Sequence, residues 1–163
     1  MTMISLRYPR ERITPEQRRD LATRLTDAVL EVECGKITPA ARFGFQVHFQ
    51  PFDANHVAIG GQLLDEHPPG SDVMVVDIAV MDGDWPAEAR QRVLENTFDA
   101  LCAGLGVDRA SPTWWVNFRV IEEGSWGSRG GVLSILDLLD TGAFSEERAA
   151  AIRAAIPARE RPL

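Results

Sequence analysis

At 163 residues, 45% of them apolar and 25% charged, the chain is long enough to bury one compact core without disulfide or metal support. Acidic residues outnumber basic ones 24 to 17, a net charge of −7 without a long single-sign run, which removes the electrostatic case for a nucleic-acid partner. No apolar run approaches the roughly eighteen residues of a membrane span, and the start lacks the charged and apolar regions of a signal peptide, so a cytoplasmic protein without membrane contact is expected.

The first element is legible in "MISLRY": Ile4, Leu6 and Tyr8 alternate with Ser5 and Arg7, the period of a strand with one buried face. A helix follows with full punctuation. Thr14 suits the N-cap, Pro15 the first turn and Gln17 the third position of a capping box, and Gly35 stops it. Leu21, Leu25, Ala28, Val29 and Val32 fall on one face of that helix. Phe45, Val47 and Phe49 then alternate as a second strand closed by Pro51, and "VAI" enters a tight turn at Gly60-Gly61. "LLDEHPPGSD", with its Pro-Pro-Gly, reads as a linker.

The order then repeats. "VMVVDIAV" is an apolar strand, Pro86 opens a helix carrying Val93, Leu94, Phe98 and Leu101, "WWVNFRV" alternates, and Gly130-Gly131 precede "VLSIL". Pro15 is matched by Pro86, His48 by Asn117 and Gly60 by Gly130, an offset of about 70 residues that marks an internal duplication. The expected fold is α/β, an α+β sandwich of one domain, 1–163. Its duplicated β-α-β halves span about 1–66 and 72–140, with a helical tail over 141–163 capped by Ser145. Each crossover makes its two strands parallel, and two such units form a four-stranded sheet with both helices on one face, plus short hairpins. The other face carries some apolar side chains and is bare, which predicts self-association.

The two cysteines, Cys34 and Cys102, lack CxxC spacing and read as buried thiols. His48, His56 and His67 share no ligand spacing, so neither a metal nor a cofactor is expected. The "GG" pairs match no phosphate-loop pattern.

The run "RITPEQRRDLATRLTDA", then "FQVHFQP", "VAIGG", "WVNF" and "FSEERA", together resemble the tautomerase superfamily, in particular its fused, cis-3-chloroacrylic acid dehalogenase-like branch. The likeness covers almost the whole chain. It implies a homotrimer with a pocket for a small molecule at each N-terminus, where an N-terminal proline does the proton chemistry. Counting back from Thr14 and Pro15, that proline is Thr2 here, or Met3 after a one-residue slip. The branch's helix histidine becomes Val29, its two carboxylate-binding arginines Met81 and Asp84, its strand tyrosine Asn117, and its acidic residue Ser128, beside Arg129. Every catalytic position has changed, which argues against dehalogenation.

The residues still offer chemistry. With Met1 removed, Thr2 presents an α-amine that can act as a base, form an imine, or activate its own hydroxyl. Asn117 and Arg119 share a strand face and could hold an enol oxygen and a carboxylate; a solvated strand face explains them equally well. Arg129, in "GSRGG", is the cation best placed to replace the missing arginines, unless it is an ordinary surface arginine. Asp77 fits an ion pair or a general base. Trp114, Trp115 and Trp126 could wall a pocket or fill an interface. Two functions remain open. One is a tautomerase-type enzyme acting on a small carbonyl or enol compound by proton transfer, with Thr2, Asn117 and Arg129 catalytic and Arg119, Met81, Asp84 and Ser128 about the substrate. The other is a non-catalytic, ligand-binding or structural trimer. A dimeric ferredoxin-like barrel is the outlying alternative for the fold.

Overall fold

The computed structural model describes residues 1–156. Strand β1 (Thr2–Pro9) leads to helix α1 (Pro15–Cys34), whose capping box is formed from both sides: the Gln17 N–H donates to the Thr14 hydroxyl and the Thr14 N–H to the Gln17 side chain. Gly35 ends α1 at φ 69, the left-handed conformation glycine adopts at lowest cost. A single turn, α2 (Pro39–Arg42), precedes strand β2 (Phe45–Phe52) and the hairpin β3 (Ala58–Ile59) and β4 (Gln62–Leu63). The second half repeats this as β5 (Met74–Met81), α3 (Ala87–Leu105), β6 (Trp114–Ile121) and the hairpin β7 (Gly127–Ser128) and β8 (Gly131–Val132).

The sheet order is β2-β1-β5-β6. Within each half the strands are parallel, Thr2 opposite Phe45 and Met74 opposite Trp114; the halves join antiparallel, Thr2 opposite Val80. Both helices cover one face, where Ile4, Leu6 and Tyr8 of β1 and Val76, Ile78 and Val80 of β5 meet Leu21, Leu25, Val93 and Leu101. Alternation along each strand put these side chains on one side, and the two crossovers brought both helices to it. Helix α3 approaches α1 at Gly104, where a methyl group would stand 2.5 Å from Leu21 Cδ2.

A second apolar cluster sits at the end of the sheet. Leu30, Cys34 and Met81 meet Ile135, Leu139 and Phe144 there, and the tail helix α4 (Glu146–Ala155) adds Ile152. Ser145 caps α4 by accepting the Arg148 N–H; the rest of the expected tail, 157–163, lies outside the described residues. No described helix is long and apolar enough to cross a membrane.

The uncovered face carries some apolar side chains, as expected, with Met3, Val75, Ala79 and Trp115 in step with its polar residues. At its centre Arg7 and Asn117 both bind Asp77, at 2.7 and 2.8 Å, with Gln50 and Arg119 nearby. The apolar exposure on the main sheet is at its edge, where Trp115 is 64% exposed. Ser5, Arg7, Asn117 and Arg119 face this way because their neighbours along β1 and β6 face the helices, whereas the nearly all-apolar β5 adds Val75 and Ala79 on either side of Asp77. Cys34 is buried as expected, whereas Cys102 is only half-buried, because it flanks the stripe of α3 that meets the sheet.

Candidate functional site

The first residues of β1 and the last turn of α1 meet at one corner of the molecule. Thr2 shares its strand face with Ile4 and Leu6, so its side chain points under the helices and is buried. There the Thr2 hydroxyl donates to Glu33 Oε2, and the Met1 amine lies 3.3 Å from Glu33 Oε1. Both carboxylate oxygens are thereby engaged. The backbone fixes the same corner: the Thr2 N–H donates to the Gly44 carbonyl at 2.9 Å, and the Met81 N–H to the Met1 carbonyl at 3.4 Å.

Glu33 is the one charged residue classed as buried among the described residues, with 3% exposure. Such burial incurs the desolvation cost of a carboxylate and places a negative charge at the negative end of a helix, so the local electrostatics favour its absence. The N-terminal partners offset that penalty. Arg148 secures the helix end from the other side: it donates to the Glu33 carbonyl at 3.3 Å, to Gly83 O at 2.7 Å and to Asp84 O at 3.1 Å.

Beside this corner is a cavity of about 110 Å³ with a mainly apolar wall, including Met1, Phe43, Phe45, Leu138 and Phe144. Arg129 reaches it from the turn between β7 and β8, held at φ 54 in a conformation unusual for a non-glycine residue. Among the described lining residues, Arg129 carries the one charged side chain, and it has no ion-pair partner within the described residues. Cys34 also lines the cavity. Burial, and secondarily the charge of Glu33, push its thiol up to about 12, so it is a neutral part of the wall and a poor nucleophile.

The remaining sequence-predicted residues divide. Ser128 lies on β7, next to Arg129, and is half-buried. Met81 is 2% exposed and belongs to the second apolar cluster. Asp84, at φ 61, pairs with Arg148 at 3.4 Å rather than facing the cavity. Asn117 and Arg119 are on the uncovered sheet face, in an open depression with Arg7 and Asp77, and are not brought together with Thr2 and Arg129. Strand parity carried that signal: Asn117 alternates with Val116 and Phe118, which face the helices, whereas Thr2 runs in step with the helix-facing residues. Glu33 escaped notice because "EVEC" reads as the polar end of an amphipathic helix; its burial depends on contacts 31 and 32 residues away in sequence.

No family model matches this chain, and no curated protein matches it. Solved structures do. N1, a member of the cis-3-chloroacrylic acid dehalogenase (cis-CaaD) family, superposes with a TM-score of 0.66 at 17% identity, covering 93% of this chain and 99% of its own. The Q0 fused 4-OT, a wild-type symmetric trimer, gives 0.64 at 21% identity over 81% and 94%. Pt0534, solved after inactivation by 2-oxo-3-pentynoate, gives 0.63 at 15% identity over 80% and 94%. At these identities the likeness establishes the architecture: the chain shares the tandem β-α-β fold of these structures.

Proposed function

We propose that this protein transfers a proton on a small carbonyl or enol compound, using the N-terminal amine as the acid and base and Arg129 as the holder of a substrate carboxylate. The observation that carries the proposal is the convergence of the N-terminal amine and the Thr2 hydroxyl on Glu33 beside an apolar cavity with Arg129 on its wall. Removal of Met1 hands the amine to Thr2 and vacates the part of the cavity wall that Met1 forms. An enol acid bound to Arg129 then receives a proton on carbon from the ammonium. The enol π pair forms the new C–H bond, the O–H proton leaves to water, and the amine regains a proton from solvent. The net change is enol to ketone, with no redox step. Exclusion of water by the apolar wall strengthens the guanidinium–carboxylate contact.

The assembly that goes with this function is a homotrimer, by analogy with the Q0 fused 4-OT trimer. Ser128 supports the turn that carries Arg129, whereas Asn117 and Arg119 belong to the uncovered face. The test is ketonisation of phenylenolpyruvate by protein whose N-terminus has been defined by mass spectrometry. Arg129→Ala should lower kcat/KM at least about tenfold, the scale of one charge-assisted carboxylate contact, while the assembly state is unchanged. Turnover equal to wild type removes Arg129 from the site.

The second reading, a non-catalytic ligand-binding trimer, is favoured by the small volume of the cavity with Met1 in place, about 110 Å³. It predicts no rate above the uncatalysed one, together with a rise in Tm on adding a small acid.

A further inference from the structure

The cavity takes its charge from very few groups. Arg129 contributes one positive charge and has no ion-pair partner within the described residues; the thiol of Cys34 contributes none. The N-terminal amine would add a second positive charge, but Glu33 lies against it at 3.3 Å and cancels it. The count is the same whether the free amine belongs to Met1 or, after its removal, to Thr2, whose hydroxyl already rests on Glu33. Helix α1 itself disfavours an acid at this position, which is buried and at the unfavourable end of the helix; the carboxylate is held there by the Thr2 hydroxyl and the N-terminal amine.

We propose that Glu33 is a specificity-determining residue: by neutralising the N-terminal amine it leaves the cavity one net positive charge, supplied by Arg129, and so selects compounds with a single carboxylate over those with two. This deepens the proposed function and rests on its placing the substrate in this cavity. A monocarboxylate with an apolar body neutralises Arg129 and sets its carbon skeleton against Phe45, Leu138 and Phe144. A second carboxylate finds no second unpaired cation on the wall and enters an apolar space uncompensated, which is costly. Removing the charge of Glu33 frees the amine as that second cation and inverts the preference.

Crotonate and fumarate test this directly, since they share a four-carbon trans-unsaturated skeleton and differ by a methyl against a carboxylate. Binding is measured by calorimetry on the intact protein, with the free N-terminus confirmed by mass. The expected result is crotonate bound at least about tenfold more tightly than fumarate, as for a like-charge or uncompensated-charge penalty in a partly desolvated site. Glu33→Gln should erase or reverse that ratio, and Glu33→Asp should keep it. Fumarate binding as tightly as crotonate in the wild type, an unchanged ratio in Glu33→Gln, or binding of neither acid overturns the inference. Should Glu33→Gln not fold, the exposed Arg129→Ala carries the test. Both acids should then lose about tenfold or more in affinity, and unchanged affinities refute the charge balance. Binding without turnover refutes the enzymatic reading alone, so the two failures are distinguishable.

Discussion

Replacing Thr2 by valine removes one hydroxyl and keeps the branched shape, which isolates the bond that joins β1 to the end of α1. The Thr2 side chain is 2% exposed and the carboxylate it serves 3%, so water cannot take the place of the lost donor without opening the corner. Glu33 Oε2 is left without the hydroxyl, while Oε1 retains the N-terminal amine. Hydrogen bonds to charged groups contribute about 1.5–3 kcal/mol, and the orphaned oxygen adds its desolvation penalty, partly offset by the extra buried methyl. A net loss of about 2 kcal/mol is therefore expected for Thr2→Val. Urea unfolding at pH 7 measures it, and the pair Thr2→Val and Glu33→Gln, singly and combined, should show a coupling of about 1 kcal/mol or more. A Thr2→Val loss below about 0.5 kcal/mol, the range of ordinary surface substitutions, would refute the buried contact.

Two further outcomes follow from the packing. Gly104→Ala adds about 1 kcal/mol of helix propensity but places its methyl 2.5 Å from Cδ2 and 2.9 Å from Cγ of the fully buried Leu21; overpacking of about 1–3 kcal/mol wins, and a variant as stable as wild type in urea would contradict it. Cys34 holds its proton in the folded state up to about 12, against about 8.5 for a free thiol, so its contribution to stability is complete below pH 8.5 and is lost as the pH rises toward 12. At pH 8, iodoacetamide should modify the half-buried Cys102 well before Cys34, and equal rates by peptide mass mapping would show that the Cys34 thiol is not sequestered.

Much of the architecture was legible because its determinants are local. The box at Thr14, Pro15 and Gln17 and the stop at Gly35 fix α1 within a few residues of sequence, period-2 runs mark β1, β2 and β6, and a continuous apolar run marks β5. The duplication then dictates the sheet, since two right-handed crossovers leave both helices on one face. The site was less legible because it depends on contacts made at a distance. Strand parity puts Asn117 and Arg119 on one face, and only the cross-strand register places Thr2 on the opposite one. Glu33 has no local signature, since a glutamate at the end of a helix is ordinary until β1 and Arg148 enclose it. Arg129 was a candidate because it stands beside Ser128, where the resemblance puts an acidic residue, and its place on the cavity wall depends on the hairpin being folded.

The central claim is that the free N-terminal amine at this corner moves the proton. The measurement that tests it most directly is the rate of phenylenolpyruvate ketonisation by one preparation before and after selective acetylation of its N-terminal amine, with the modification confirmed by intact mass. The account predicts turnover above the uncatalysed rate before acetylation and its loss afterwards, with the oligomer unchanged. Equal rates before and after, or a free-amine protein no faster than buffer, would contradict it.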